Sequence, residues 1–220
     1  MGTLNDNLHV KGHLSADTMT IPSAAVGNDQ VKSDAGIATS KIAQRSNARI
    51  NIPLTQCRVW NAFQTLLPNP SANDDLGLYC GTWGTDSLLV RTYDVKTAGA
   101  LTFYCGLEVP LPPNYEDGET VTIRLHAGMV TTVADNSCTI DVVAYESDRE
   151  GGISADLCTT GAQDINNTNF ADKDFTITPT DLVAGDKLEV RIAIAVNDAA
   201  TGTAVIGALG SIELLCDTRG

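Results

Sequence analysis

After residue 57, runs in which apolar and polar positions alternate with period two are separated by turn-rich stretches. Val121, Ile123 and Leu125 alternate with Thr122, Arg124 and His126, and Leu188, Val190, Ile192, Ile194 and Val196 line one face of a later run. A strand points successive side chains to opposite faces, so each run predicts a strand with one buried side. The same reasoning predicts strands over 57–64, 88–92, 101–109, 138–145, 175–178 and 204–216, with Pro110, Pro112 and Pro113 ending the third of these. Gly128 invites a bulge. Ala134-Asp135-Asn136-Ser137 turns residues 121–133 into 138–145 as a long hairpin, and residues 197–203 join 188–196 to 204–216 as a final pair. The Pro-, Asn-, Asp- and Gly-rich stretch 65–87 and the polar stretch 147–173 are expected to be loops, and Pro179–Leu182 one helical turn. About eight strands without an amphipathic helix predict an all-β chain, a single β-sandwich of jelly-roll type over residues 51–220.

Residues 1–50 follow a different pattern. Leu8, Val10 and Leu14 alternate with His9, Lys11 and His13, and Met19 and Ile21 continue the alternation to Pro22. Beyond it Val26, Val31, Ile37 and Ile42 are spaced five or six apart among small and polar residues, a period that suits neither helix nor strand. Such a segment has no core of its own. It is expected to be an extended N-terminal arm that lies across a partner, the alternative being a disordered leader; its Ile, Val and Leu content favours the arm.

Charge sharpens this division. The chain carries a net −13, yet residues 1–50 hold five Lys/Arg against four Asp, a net +1, which leaves −14 on the other 170 residues. An acidic body repels a phosphate backbone, so no nucleic-acid partner is expected. No apolar run reaches the length of a membrane span, and the first residues lack a signal-peptide pattern, so no membrane association is expected and synthesis is assigned to a cytoplasm. The six cysteines (57, 80, 105, 138, 158 and 216) include no Cys-x-x-Cys pair and are expected to be mostly buried free thiols, with one or two disulfides as the alternative outside the cell.

Candidate chemistry is sparse. A nucleophilic triad needs a base, and only His9, His13 and His126 are available, two of them in the arm; no Gly-x-Ser-x-Gly elbow and no phosphate loop is present. His126 falls on the outward face of its strand. No catalytic residue, no metal site and no cofactor is therefore assigned. The acidic clusters Asn73-Asp74-Asp75, Glu116–Glu119 and Glu146–Glu150 lie in turns, where solvation accounts for them and structural calcium is the alternative. Aromatic residues make up only 5% of the chain, which argues against a sugar-cleaving cleft. Trp60, between Val59 and Phe63, is expected in the core; Trp83, in Gly-Thr-Trp-Gly-Thr, is expected at an interface, with a sugar platform as the alternative. The sequon Asn166-Asn167-Thr168 carries no weight without a secretory signal.

The stretch Leu8-His-Val-Lys-Gly-His-Leu-Ser-Ala-Asp-Thr-Met-Thr-Ile-Pro22, followed by Val26 and Gln30-Val31, resembles the N-terminal leader of structural proteins of tailed phages and prophages. Leu182–Ile192, Asn197–Thr203 and the closing Glu213-Leu-Leu are similar to their C-terminal ends. Residues 50–150 carry no part of the resemblance. It implies a non-enzymatic virion protein of the capsid decoration (cement) type on the capsid surface, a homotrimer whose arm runs along the major capsid protein. Leu8, Val10, Leu14, Met19, Ile21 and Val26 are the expected partner-binding residues, each contributing about 1.5–3 kcal/mol when buried, before ordering costs. The alternative expectation is a tail-fibre or lectin-like sandwich that binds a glycan or receptor through loops 65–87 and 147–173.

Overall fold

The computed structural model describes residues 45–147, 151–199 and 202–219. The arm residues Leu8, Val10, Leu14, Met19, Ile21 and Val26, with His9 and His13, lie outside the described residues.

Among the described residues twelve strands form two six-stranded sheets, packed as a β-sandwich. Sheet A contains β1 (Arg45–Ile52), β4 (Gly77–Tyr79), β5 (Leu89–Arg91), β7 (Val121–Met129), β10 (Ala171–Ile177) and β12 (Gly207–Arg219). Its order is β10-β7-β12-β5-β4, and β1 lies beside the C-terminal half of β12. Sheet B runs β3-β2-β6-β11-β8-β9, built from β2 (Arg58–Val59), β3 (Ala62–Leu66), β6 (Gly99–Pro110), β8 (Ser137–Ser147), β9 (Gln163–Asp164) and β11 (Lys187–Asp198). Among the described residues the 3-10 turn Leu54–Gln56 is the one helical element, and residues 179–182 make only a turn.

The alternating residues do what their pattern predicts. Leu188, Val190, Ile192, Ile194 and Val196 of β11 and Val121, Ile123 and Leu125 of β7 are each at most 1% exposed. Between the sheets they meet Phe103, Leu107 and Val109 of β6, Ile140 and Val142 of β8, Phe175 of β10, and Ile212 and Leu214 of β12. Cys57, Cys105, Cys138 and Cys216 are buried free thiols, whereas Cys80 is exposed and Cys158 half-buried. A hydrogen bond with Cys57 and full burial push the Cys105 thiol well above its ordinary value; burial pushes Cys138 up to about 12.

Partner assignments differ from the sequence pattern. Residues 121–129 and 138–145 are not a hairpin: β7 pairs with β10 and β12 in sheet A, while β8 pairs with β11 and β9 in sheet B. Likewise β11 and β12 belong to different sheets. Both connections are arches that cross the core, and their tips are tied together: Val130 N–H donates to Ile206 O at 2.9 Å, Thr131 Oγ1 to Ala204 O at 2.9 Å, and Asp135 N–H to Asp198 Oδ1 at 3.0 Å. An arch and a hairpin bury the same alternate residues, so the pattern alone does not separate them. The bulge sits on β12, where the register shifts between Leu209 and Ser211 opposite Ala127 and His126, rather than at Gly128. Gly128 is needed for another reason, since a Cβ there would stand 2.6 Å from the Phe170 ring and 2.9 Å from Asn167 O. Residues 45–50, grouped with the arm by their sequence, belong to β1, which pairs with β12 from Arg45↔Arg219 to Ile52↔Ile212.

Candidate functional site

The outward faces of the two sheets differ in how their charges are satisfied. In sheet A, Arg124 of β7 has Glu213 and Asp174 as its cross-strand neighbours. Its Nε and Nη2 donate to the two Asp174 oxygens at 2.6 and 2.7 Å. Arg49 Nε meets Glu213 Oε2 at 2.7 Å, and His126 Nδ1 meets Asp172 Oδ1 at 2.7 Å. The Arg124 guanidinium holds the Asp174 carboxyl below the usual carboxylate range. His126 is thus on the surface, as its parity predicts, inside a chain of matched charges that runs from β1 to β10.

Sheet B presents a different face. Lys187, Glu189, Arg191, Ala193 and Ala195 point outward from β11, since Leu188, Val190, Ile192 and Ile194 point inward. Like Arg124, Arg191 points outward from a strand paired on both sides, but its cross-strand neighbours are Gly106 and Val143, which offer no carboxylate. Its Nε is buried and has no acceptor. The guanidinium lies against two aromatic rings instead, with Cζ 5.5 Å from the Trp60 centroid and 5.3 Å from that of Tyr104, within cation–π range. The two rings are 5.2 Å apart, tilted by 47°, and Trp60 Nε1 is also buried without a partner.

Trp60 is therefore not a core residue. Cys57 and Val59 point inward, so alternation turns Arg58 and Trp60 outward, and residues 60–61 form the turn of a short β2–β3 hairpin rather than the middle of one strand. This hairpin leans on the sheet because residue 106 has no side chain: a Cβ on Gly106 would stand 2.7 Å from Phe63 Cζ and 3.3 Å from Trp60 Cα. Tyr104 is fixed by main-chain bonds outside the ladder, donating its N–H to Asp74 O at 2.7 Å and accepting from Leu76 N–H at 2.8 Å.

Two concavities follow one another along β11. A hollow of about 820 Å³ has Glu108 and Glu189 in its floor, with Gln56, Arg58, Phe63 and Gln64 along its side. A smaller one of about 260 Å³ is floored by Ala193 and Ala195 and walled by Thr102 and Tyr104 of β6 and Thr139 and Asp141 of β8; Arg191 lines its end. From Lys187 to Ala195 the face extends about 27 Å at the usual strand rise. It offers small residues where a ligand must approach closely, aromatic rings at its middle, and hydroxyl, amide and carboxylate groups around them.

Trp83 is 98% exposed, in agreement with its expected exposure, on the loop between β4 and β5, at the edge of sheet A. Asp86 braces that loop by accepting from Thr82 N–H at 2.7 Å. The structure therefore places the two tryptophans on different sheets. The stretch 147–173, expected as a loop, contains β9 and the start of β10; within it Ala162 lines the smaller hollow and Asp156 Oδ1 accepts from the N–H groups of Ala144 and Cys158, both at 3.0 Å. Among the described residues no three His, Cys, Asp or Glu side chains cluster as a metal site would require.

No protein-family model and no curated protein matches this chain. Among solved structures it is similar to the CBM22-1 xylan-binding domain of Xyn10C from Paenibacillus barcinonensis, with 11% identity over 66% of this chain and 82% of that one and a TM-score of 0.37. It is similar to the xylan-binding module CBM15 at 12% identity over 78% and 97%, TM-score 0.39. The Stig cyclase Fisc from Fischerella sp. shares 12% identity over 79% and 100%, TM-score 0.33. Likeness at this level is one of fold alone and assigns neither ligand nor chemistry to this chain.

Proposed function

We propose that the sandwich is a non-catalytic recognition module that holds a carbohydrate against the outer face of sheet B. The observation that carries this reading is Arg191, whose Nε has no acceptor and whose guanidinium lies on the Trp60–Tyr104 pair beside two hollows. Saccharides present C–H faces, which stack on aromatic rings, and hydroxyl rims, which need donors and acceptors of the kind Thr102, Thr139, Asp141 and Gln64 supply. The one histidine among the described residues sits on the opposite sheet, bound to Asp172, which supports binding rather than acid–base chemistry. In affinity electrophoresis through gels containing neutral and acidic plant, bacterial and animal polysaccharides, the protein is expected to be retarded by at least one. Trp60→Ala should weaken that binding about 10- to 150-fold, as loss of roughly 1.5–3 kcal/mol of buried aromatic surface implies. Migration unchanged in every gel, or full affinity in Trp60→Ala, contradicts the assignment.

A second reading is compatible with the first and concerns where the module is displayed. The leader resembles phage virion structural proteins, and the segment that follows it enters the sandwich as β1, secured to β12 by eight register pairs and by the Arg49–Glu213 ion pair. On this reading the arm seats a trimer on the major capsid protein and the acidic sandwich faces outward. Deleting residues 1–35 leaves β1 intact, so the shortened chain should keep its thermal transition and its mass as a trimer in light scattering while losing occupancy on capsids assembled from its cognate capsid protein. Undiminished occupancy would remove the arm from this role.

A further inference from the structure

We infer that the ligand of sheet B carries isolated carboxylates: a saccharide chain whose single uronate units, one of them gripped by Arg191, are separated by neutral sugars. This rests on the carbohydrate reading above and narrows it to a class of ligand.

Two outward-facing arginines differ in what lies opposite them. Arg124 and Arg191 each point outward from a strand paired on both sides, and the first has two carboxylates opposite it while the second has glycine and valine. In a chain with 27 Asp and Glu against 14 Lys and Arg, an arginine with no carboxylate directly opposite it on either flanking strand is an exception, and its charge is open to an outside partner. Packing on Trp60 and Tyr104 fixes the guanidinium plane and lowers the ordering cost of using it, and the planar fork of N–H groups matches a carboxylate in two parallel hydrogen bonds. The nearest alternative cations on the face are already engaged: Lys187 Nζ pairs with Glu108 at 3.3 Å, and Arg58 Nη1 donates to Thr55 O at 3.0 Å.

The surroundings limit how many anions the face accepts. Glu108 and Glu189 floor the hollow on one side of Arg191, and Asp141 lines the other. A ligand with a carboxylate on every sugar would set negative charge against these three, at separations too short for salt to screen fully. One uronate at Arg191, with uncharged sugars donating hydroxyls to Glu189 on one side and to Asp141 on the other, satisfies every group named. Hyaluronan-like alternating chains and glucuronate-branched xylans have this composition; polygalacturonate does not.

The test uses the full chain at near-physiological salt against glucuronoxylan and hyaluronan, each beside its carboxyl-reduced form, with polygalacturonate and unsubstituted xylan as references. Retardation by at least one sparsely carboxylated polymer, lost at least 10-fold on carboxyl reduction and weak with polygalacturonate, is the expected result. Arg191→Gln should abolish the preference for the carboxylated form, and Arg191→Lys should restore only part of it, because an ammonium lacks the bidentate fork. Equal retention by native and reduced polymers, or an unchanged preference in Arg191→Gln, overturns the uronate assignment and leaves carbohydrate binding standing. Absence of retention by all six polymers overturns the uronate assignment as well. The wider polysaccharide set in the preceding section then decides whether carbohydrate binding falls with it.

Discussion

Phe103→Ala is expected to lower the free energy of unfolding by about 3–5 kcal/mol, the range for an aromatic side chain removed from a closed core. Phe103 is 1% exposed, faces Ile194 across the β6–β11 ladder, and meets the Tyr93 ring edge-on with centroids 4.8 Å apart. Its neighbours come from long strands whose main-chain bonds hold them in place, so the space left by the ring cannot collapse and the cavity cost adds to the transfer cost. For a domain of ordinary stability, about 5–15 kcal/mol, this removes a large share. Urea titration should show the midpoint falling with the slope unchanged. A loss below about 1 kcal/mol would mean that the two sheets are not packed as described around this ring.

Gly77→Ala should cost about 1–3 kcal/mol through overpacking and should also impair the binding face. A Cβ at residue 77 would stand 2.4 Å from Ser71 N, 2.8 Å from Ser71 Cα and 3.0 Å from Pro68 O. These are backbone atoms, so no side-chain rotation relieves the clash. The segment they belong to continues to Asp74 and Leu76, whose main-chain groups hold Tyr104 at 2.7 and 2.8 Å. Moving it loosens the strand that carries one of the two rings under Arg191. Hydrogen exchange should therefore accelerate at the Leu76 and Tyr104 amides more than at Ile192 in the same sheet. Wild-type exchange at both amides, with wild-type stability, would show that this segment does not position Tyr104.

Local pattern carried the strands of this protein and little of their pairing. The alternation in β7 and β11 states which side of each strand is buried, because burial follows side-chain parity directly. It is silent on whether the next strand returns beside the first or crosses to the other sheet, and the chain crosses at most of its junctions, among them β6 to β7, β7 to β8, and β11 to β12. The candidate face suffers most from this. Trp60, Tyr104, Asp141 and Arg191 are far apart in sequence and meet only through the β2–β6, β6–β11 and β11–β8 registers. One signal was available for Trp60: with Cys57 and Val59 inward, residue 60 has outward parity, and its hydrophobic character concealed that. No local signal exists for the orphaned state of Arg191, which depends on Gly106 and Val143 lying opposite it.

The position of β12 has a consequence for biosynthesis. This strand pairs with β7, β5 and β1, so it is the hub of sheet A, yet it comes after every other strand in the chain; Ser46 and Thr218, which share a hydrogen bond at 2.9 Å, are 172 residues apart. As the chain leaves the ribosome, β1, β5 and β7 emerge with their hydrophobic sides exposed and no central strand to join. They remain so until β12 has been translated. Closing loops of this length before any reward in contacts makes assembly slow, and until then the open strand edges are vulnerable to pairing with those of other nascent chains. Co-expression of a holdase chaperone that shields those edges is accordingly expected to raise the yield of folded protein.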